Sequence, residues 1–282
     1  MTTLPARVGV FGGGRMGAGI AHAFLTSGSD VVLIEATPEA VEAAGERVTS
    51  SLTASASRGL LSDGVESYVA RLIVTEDHQA LVDAGLVVEA VPEDTAIKAA
   101  VFASIEAVVA DDAVLASNTS SLSIDGLAEG LRTPARFLGF HFFNPVPAST
   151  LVEIVVGQAT SADLVTRAQD WVTDLGKTAV TVRDAPGFAS SRLGVAIALE
   201  AMRMVGEGVA SVEDIDAAMT LGYKHPVGPL RTTDLVGLDV RLAIAEHLER
   251  ELGPRFAPPQ ILRDKVAAGD LGKKSGKGFY DW

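Results

Sequence analysis

The sequence predicts an α/β protein: a Rossmann-type dinucleotide-binding domain over residues 1–186, followed by a smaller all-α domain over 187–282. Three observations predict it. Short apolar runs alternate with helix-like stretches from Arg7 to Val182, as strand–helix–strand units require. The first run leads straight into Gly12-Gly13-Gly14-Arg15-Met16-Gly17, the glycine spacing that opens a helix beside a phosphate. After Asp184-Ala185-Pro186-Gly187 the strand pattern stops and helical periodicity takes over, so this turn-prone segment marks the boundary.

Composition narrows the function classes. A chain of 282 residues with 48% hydrophobic content supports a substantial core. It has no cysteine, which removes disulfides, thiolate metal sites and a cysteine nucleophile, and suits a reducing cytoplasm. No metal site is expected. The N-terminal residues lack a charged region followed by an apolar core and cleavage site, and no apolar run approaches spanning length, so a soluble protein without a membrane partner is expected. A net charge of −13 with no dense Lys/Arg cluster argues against nucleic acid.

Taken in order, Arg7 to Phe11 is a strand and Ala18 to Leu25 a helix. Between them Gly12 makes the tight turn, Gly14 lets the backbone reach a pyrophosphate, and Gly17 lets helix and strand pack closely. The next strand, Asp30 to Ile34, ends at Glu35, about 20 positions past Gly14. There a carboxylate accepts hydrogen bonds from the adenosine ribose of NAD and repels a 2′-phosphate. The two signals together predict an NAD site. Thr37-Pro38 then starts a long helix ending near Gly59, with Ser51 and Arg58 seven apart on one side. From the residues alone that pair reads as solvated surface.

Gly85 to Val91 is a buried strand, and a helix follows through Lys98 to Ala110. The strand Ala113 to Ala116 runs into Ser117-Asn118-Thr119-Ser120-Ser121. Such a run is often a turn and helix cap, but at the exit of an α/β strand it is placed to bind a ligand. Phe137 to Phe140 and Leu151 to Val156 form two strands joined by a connection too short for a helical crossover, so the second runs back antiparallel. His141 stands at the end of the first. Glu153 is the only charge in the second, and a lone buried carboxylate needs a partner. Two readings stand at this point: a general base oriented by a carboxylate, or a turn histidine beside a solvent-facing glutamate. A helix near 161–175 and a strand near 178–182 complete the first domain. In the second, helices are expected over 190–205, from Ser211 to Gly222, and over 235–252, and the tail ends in Phe279, Tyr280 and Trp282, which tie it down.

These blocks occur together in a known order. Gly12-x-Gly14-x-Met16-Gly17, Val88 to Glu93, Ser117 to Ser121, His141-Phe-Phe-Asn-Pro-Val-Pro147, Asp184-x-Pro-Gly-Phe188, Gly228-Pro229 with Asp234 to Asp239, and Gly272 to Tyr280 resemble the L-3-hydroxyacyl-CoA dehydrogenases, over essentially the whole chain. The resemblance implies NAD as cofactor and reversible oxidation of a (3S)-3-hydroxyacyl-CoA to the 3-oxoacyl-CoA. It implies that His141 is the general base, Glu153 its orienting carboxylate, Ser120 the partner of the substrate hydroxyl, and Asn144 a polar group beside nicotinamide and substrate. Gly12, Gly14, Met16, Gly17, Glu35, Glu93, Lys98 and Lys274 fall at cofactor positions, and Ser51 and Arg58 at CoA positions. Relatives resemble homodimers joined through the helical domain. One position departs: where relatives read Pro-Gly-Phe-x-x-Asn-Arg, with the asparagine near the substrate thioester, this chain has Ser191. A shorter side chain there leaves room for a larger or more polar acyl group, so a short or a dicarboxylic chain is expected. Two other readings remain: a family member acting on a non-CoA hydroxy acid, and a non-catalytic dinucleotide-binding protein of the same fold, as the crystallin relatives resemble.

Overall fold

The computed structural model describes residues 2–282. Its first strand, β1 (Arg7–Phe11), is apolar over four of five residues and pairs in parallel on both sides, with β2 (Asp30–Ile34) and β4 (Leu86–Glu89). Strands buried on both faces carry continuous apolar runs. Adding β3 (Leu72–Thr75), β5 (Val114–Ser117), β6 (Phe137–Phe142), β7 (Leu151–Val156) and β8 (Thr178–Arg183) gives one eight-stranded sheet, ordered β3-β2-β1-β4-β5-β6-β7-β8. The first six follow the 3-2-1-4-5-6 order of dinucleotide-binding sheets, whose ligands sit beyond the carboxyl ends of the strands where the order reverses, here β1 and β4. β7 pairs antiparallel with β6, and β8 parallel with β7, so the last two strands run against the rest.

The helices begin where the sequence supplies a cap. Thr37 accepts from the Ala40 N–H ahead of α2 (Pro38–Ala56), and Asp94 from Ile97 ahead of α4 (Thr95–Glu106). Ser123 and Ser161 do the same for the short α5 (Ile124–Ala128) and for α6 (Ala162–Asp174). Two helices of this part lack a side-chain cap: α1 (Arg15–Thr26), whose start at Gly14 faces the carboxyl end of β1, and the short α3 (Val65–Val69). Phe24, Phe140 and Phe142 pack edge to face in the core, each burial contributing roughly 1.5–3 kcal/mol.

Chain contacts divide the molecule into two units, 1–184 and 185–282. The second is helical: α7 (Ser190–Gly206), α8 (Val212–Ala217), α9 (Pro229–Val236), α10 (Leu238–Leu252) and α11 (Gln260–Ala267). The single helix expected over 235–252 is two, because Gly237 takes φ +107°, a conformation that breaks a helix and that other residues rarely adopt. Helix α11 was not anticipated. Val195, Leu199, Met202, Leu230 and Leu248 form this unit's core.

Its tail is fastened by two buried aspartates. Asp234, 1% exposed, accepts from the backbone N–H of Phe279 and Tyr280 at 2.8 Å and from the Trp282 indole at 2.9 Å. Asp216 accepts from the N–H groups of Leu230 and Arg231 and from the Tyr280 hydroxyl. Burial first, and the Asp216 acceptor next, push the Tyr280 phenol up to about 12, so it stays a donor. The Arg231 guanidinium lies 4.1 Å from the Tyr280 ring centroid.

Asp234→Ala orphans three donors at once, so we expect it to cost on the order of 3 kcal/mol. Urea unfolding should show the loss, and limited proteolysis should remove the last residues first; unchanged stability would contradict the clasp.

Candidate active site

The glycine turn is shaped by what surrounds it. Gly12 has φ +98°, and a Cβ there would lie 2.9 Å from the Ala90 carbonyl oxygen. A Cβ on Gly17 would strike the Gly12 carbonyl oxygen, whereas one on Gly14 would meet nothing within 4 Å. Two glycines are therefore demanded by the fold, and the third leaves backbone open at an uncapped helix start, where N–H groups and helix dipole favour an anion. Glu35 accepts from the Gly13 N–H at 2.6 Å, while Arg47 donates to the Gly13 carbonyl at 3.2 Å. The Gly13 peptide is held on both sides. Met16 packs partly buried against the core.

At the ends of β4 and β5 lies a charged network. Glu89, fully buried, accepts from Lys98 Nζ at 2.5 Å, from the Val91 N–H at 2.7 Å and from the Ser117 hydroxyl at 2.6 Å. Lys98 is itself 1% exposed and reaches Glu93 at 3.3 Å. One oxygen of Glu93 accepts from the Thr119 hydroxyl, the Ser120 and Ser121 N–H groups and the Ser121 hydroxyl. Burial alone would raise the Glu93 carboxyl; the Thr119 donor, the Lys98 charge and the Ser120 and Ser121 donors outweigh it and hold the group below its ordinary range. The 117–121 loop is thus ordered around a carboxylate, and Ser120 enters it through its backbone.

His141 and Glu153 stand directly opposite each other in the antiparallel β6–β7 ladder. Nδ1 lies 2.9 Å from Glu153 Oε2, with both side chains buried. A carboxylate only accepts, so Nδ1 carries the proton and Nε2 is the basic nitrogen. Asn118 Oδ1 accepts from the Phe142 N–H at 2.9 Å, tying the polar loop to the histidine strand, and the Phe143 ring lies 4.4 Å from the imidazole.

Beyond this strand a groove of about 530 Å³ is lined by Arg15, Ala18, Arg47, Ser51, Asn144 and Val146, among others. Ser51 shares a 2.9 Å hydrogen bond with His22 Nδ1. Burial, reinforced by the Lys177 charge, pushes His22 down to about 4, so it is neutral at physiological pH. Lys177 donates to the carbonyls of Val146 and Ser149, holding the 145–149 connection in place. Arg58, expected on one side of α2 with Ser51, lies past the end of that helix and is exposed.

The structure thus joins His141 to Glu153 and Ser120 to Glu93, which also pairs with Lys98, and it sets Ser51 and Asn144 in the lining of one groove. In the second unit, Ser191 occupies the first turn of α7, and Lys274 pairs with Asp239 at 2.5 Å. Sequence reasoning passed over Glu89, Lys177, Arg15 and Arg47, and named Asn118 only as part of its polar loop. Glu89 carried a signal, since it is the lone charge of its strand, as Glu153 is of its own; Lys177, Arg15 and Arg47 carried none. Among the described residues no group of His, Asp or Glu side chains could hold a metal ion.

Lys98→Met leaves the fully buried Glu89 without its cation, which we expect to cost about 3–5 kcal/mol. Neutralising both, as Glu89→Gln with Lys98→Met, should recover much of that loss in urea unfolding. Additive losses would contradict the pairing.

Comparison with known proteins places this arrangement. Residues 7–185 match the 3-hydroxyacyl-CoA dehydrogenase NAD-binding domain, and residues 187–282 the C-terminal domain of the same family. The chain is 44% identical over 280 residues, 98% of each chain, to a 3-hydroxybutyryl-CoA dehydrogenase of Mycobacterium tuberculosis. It is 39% identical to a 3-hydroxyadipyl-CoA dehydrogenase of Escherichia coli, covering 98% of this chain and 58% of that one. The crystal structure of a Ralstonia eutropha (S)-3-hydroxybutyryl-CoA dehydrogenase is similar with a TM-score of 0.94 at 38% identity, over 99% of both chains. This chain belongs to the 3-hydroxyacyl-CoA dehydrogenase family.

Proposed function

We propose that this protein oxidises (3S)-3-hydroxyacyl-CoA to 3-oxoacyl-CoA, reversibly, with NAD⁺ as the partner. The observation that carries the reading is the buried His141–Glu153 pair at the carboxyl edge of a dinucleotide-binding sheet. NAD⁺ supplies the hydride acceptor, and the protein aligns and exchanges the proton. Nε2 of His141 takes the hydroxyl proton as the carbon–hydrogen bond breaks, and Glu153 stabilises the imidazolium that results. In the reducing direction the same imidazolium returns the proton. Ser120 is assigned to the substrate hydroxyl and Asn144 to the junction of nicotinamide and substrate.

The residues fit the cofactor. The open backbone at Gly14 receives the pyrophosphate, and Glu35, which already accepts from Gly13, receives the ribose hydroxyls. Glu93 and Lys98 complete the cofactor contacts of this unit, with Lys98 acting from its buried position by holding Glu93; Lys274 is assigned to the cofactor by the family resemblance alone. Ser51 and Arg58 are assigned to CoA, and Arg15 and Arg47 add cations to the same groove. Residues 1–186 are assigned as the dinucleotide-binding domain, and residues 187–282 as the helical domain that contributes to substrate binding and to contact with a second copy.

The helical unit exposes Leu193, Val209, Leu221, Tyr223 and Leu235 at 48–75%. Apolar exposure on that scale in so small a unit supports a symmetric dimer. The absence of cysteine, together with the lack among the described residues of any helix long and apolar enough to cross a membrane, supports a cytoplasmic setting.

The test is NADH formation from (3S)-3-hydroxybutyryl-CoA. His141→Ala should lower kcat by about 10²–10⁴-fold while leaving NAD affinity in place. NADP⁺ should serve poorly, because Glu35 repels a 2′-phosphate. No turnover of any 3-hydroxyacyl-CoA, or equal turnover after His141→Ala, would overturn the assignment.

A further inference from the structure

A second cavity, of about 130 Å³ and wholly within the first unit, is lined by His22, Thr26, Ser55, Leu61, Pro147 and Lys177, among others. Its polar atoms are the ones that the fold leaves over. Lys177 donates to the carbonyls of Val146 and Ser149, which leaves one ammonium proton unassigned, and it enters no ion pair among the described residues. Burial pushes that ammonium below its ordinary range, and no carboxylate among the described residues offsets the shift. Ser55, 7% exposed, makes no side-chain hydrogen bond among the described residues, and its oxygen is not sealed from solvent. His22, 4% exposed, has Nδ1 engaged by Ser51, while its Nε2 has no partner among them. Nearly buried polar groups left in this way are costly unless something outside the fold completes them.

Charge and size say what would complete them. A cation with no acid beside it, a hydroxyl and an imidazole call for an anion. The cavity is well below the roughly 300–1,000 Å³ that encloses a whole organic ligand, so it takes a single group. An arginine fork suits a planar carboxylate, whereas a lysine acts on a phosphate as a point charge, with other donors free to surround the remaining oxygens. The cavity also adjoins the larger groove at the histidine strand. Ala18 and Gly19 of the groove and His22, Ala23 and Thr26 of the cavity follow one another along one face of α1, Ser51 and Ser55 are one turn apart on α2, and Pro147 lines both spaces. Asn144, which lines the groove, lies on the connection that leaves His141. A ligand whose reacting end meets His141 can therefore extend along the groove and place a second group in the cavity.

We propose that this cavity is a phosphate subsite, in which Lys177 supplies the charge, Ser55 donates through its hydroxyl, and neutral His22, whose Nδ1 accepts from Ser51, donates through Nε2. The phosphate comes from the nucleotide arm of an acyl-CoA substrate or from free inorganic phosphate, and the same donors recognise both. The first source rests on the dehydrogenase reading above; the second stands without it.

Isothermal titration of the full-length protein with inorganic phosphate, at constant ionic strength, should show saturable binding. Ser55→Ala, which removes one donor to a charged group, should weaken it by about tenfold. Ser55→Asp, which sets a carboxylate beside the ammonium, should abolish it, as should Lys177→Met. Because Lys177→Met also releases the 145–149 connection, the two Ser55 variants decide the matter if that protein fails to fold. Kinetics with 3-hydroxybutyryl-CoA then identify the source. A phosphate of the nucleotide arm gives competitive inhibition by inorganic phosphate and a KM raised by about tenfold or more in Ser55→Asp, with kcat within about threefold. The 3-hydroxybutyryl thioester of pantetheine, which carries no phosphate, should respond to neither. Free phosphate as the ligand gives the same titrations with KM unchanged in Ser55→Asp. The proposal is overturned by phosphate binding that Ser55→Asp leaves intact, or by no phosphate binding together with an unchanged KM in that variant. Absence of turnover with every thioester overturns the dehydrogenase reading alone, since the titrations read the subsite without it.

Discussion

A carboxylate buried inside a sheet has to find a partner, and the first unit is arranged around two that do. Glu89 and Glu153 are both fully buried on strands that are otherwise apolar. Glu89 is held by Lys98, Ser117 and the Val91 N–H, and Glu153 holds His141. Leaving either charge unpaired would cost several kcal/mol, a large share of the stability of a domain. Partner choice is thereby fixed by folding itself, before any ligand arrives. The chemistry uses what stability already requires.

The ladder sets the geometry of the pair. In β6 and β7, Phe140 faces Ile154 and Phe142 faces Val152, while His141 faces Glu153 between them. Alternation sends the aromatic and aliphatic pairs into the core and the histidine and glutamate to the other face. A slip of one residue would drive the charge into the core and the phenylalanines out of it. The same packing that secures the core therefore secures the 2.9 Å contact. Asn118 and Lys177 extend this control to the neighbouring loops, one through the Phe142 N–H and the other through two carbonyls of the 145–149 connection.

Much of this was legible in the sequence because local rules and the global fold agree. The glycine spacing and the short proline-rich connection each have one cheap physical explanation, and the structure adopts it; the lone charge in 151–156 left two readings open, and the strand ladder sets it against His141. Less legible were features that depend on distant partners. Lys98 looks like a surface helix residue until β4 supplies Glu89, and His22 looks like any helical histidine until α2 supplies Ser51. Arg58 misled because seven-residue spacing places residues on one face only while the helix continues, and α2 ends at Ala56. Gly237 was hidden within an apolar helical pattern whose break depends on one backbone angle. Arg241 is the converse case, a buried guanidinium whose Nε has no hydrogen-bond partner among the described residues.

The central claim is that Glu153 fixes His141 as the Nδ1-protonated tautomer, leaving Nε2 as the base. Nitrogen-15 NMR of histidine-labelled protein, at a pH where the imidazole is neutral, reads the tautomer directly. The account predicts a protonated Nδ1 and a basic Nε2 for His141, shifting towards a mixture or the opposite tautomer in Glu153→Ala. A His141 protonated at Nε2 in the unaltered protein, or a tautomer indifferent to Glu153→Ala, would contradict it.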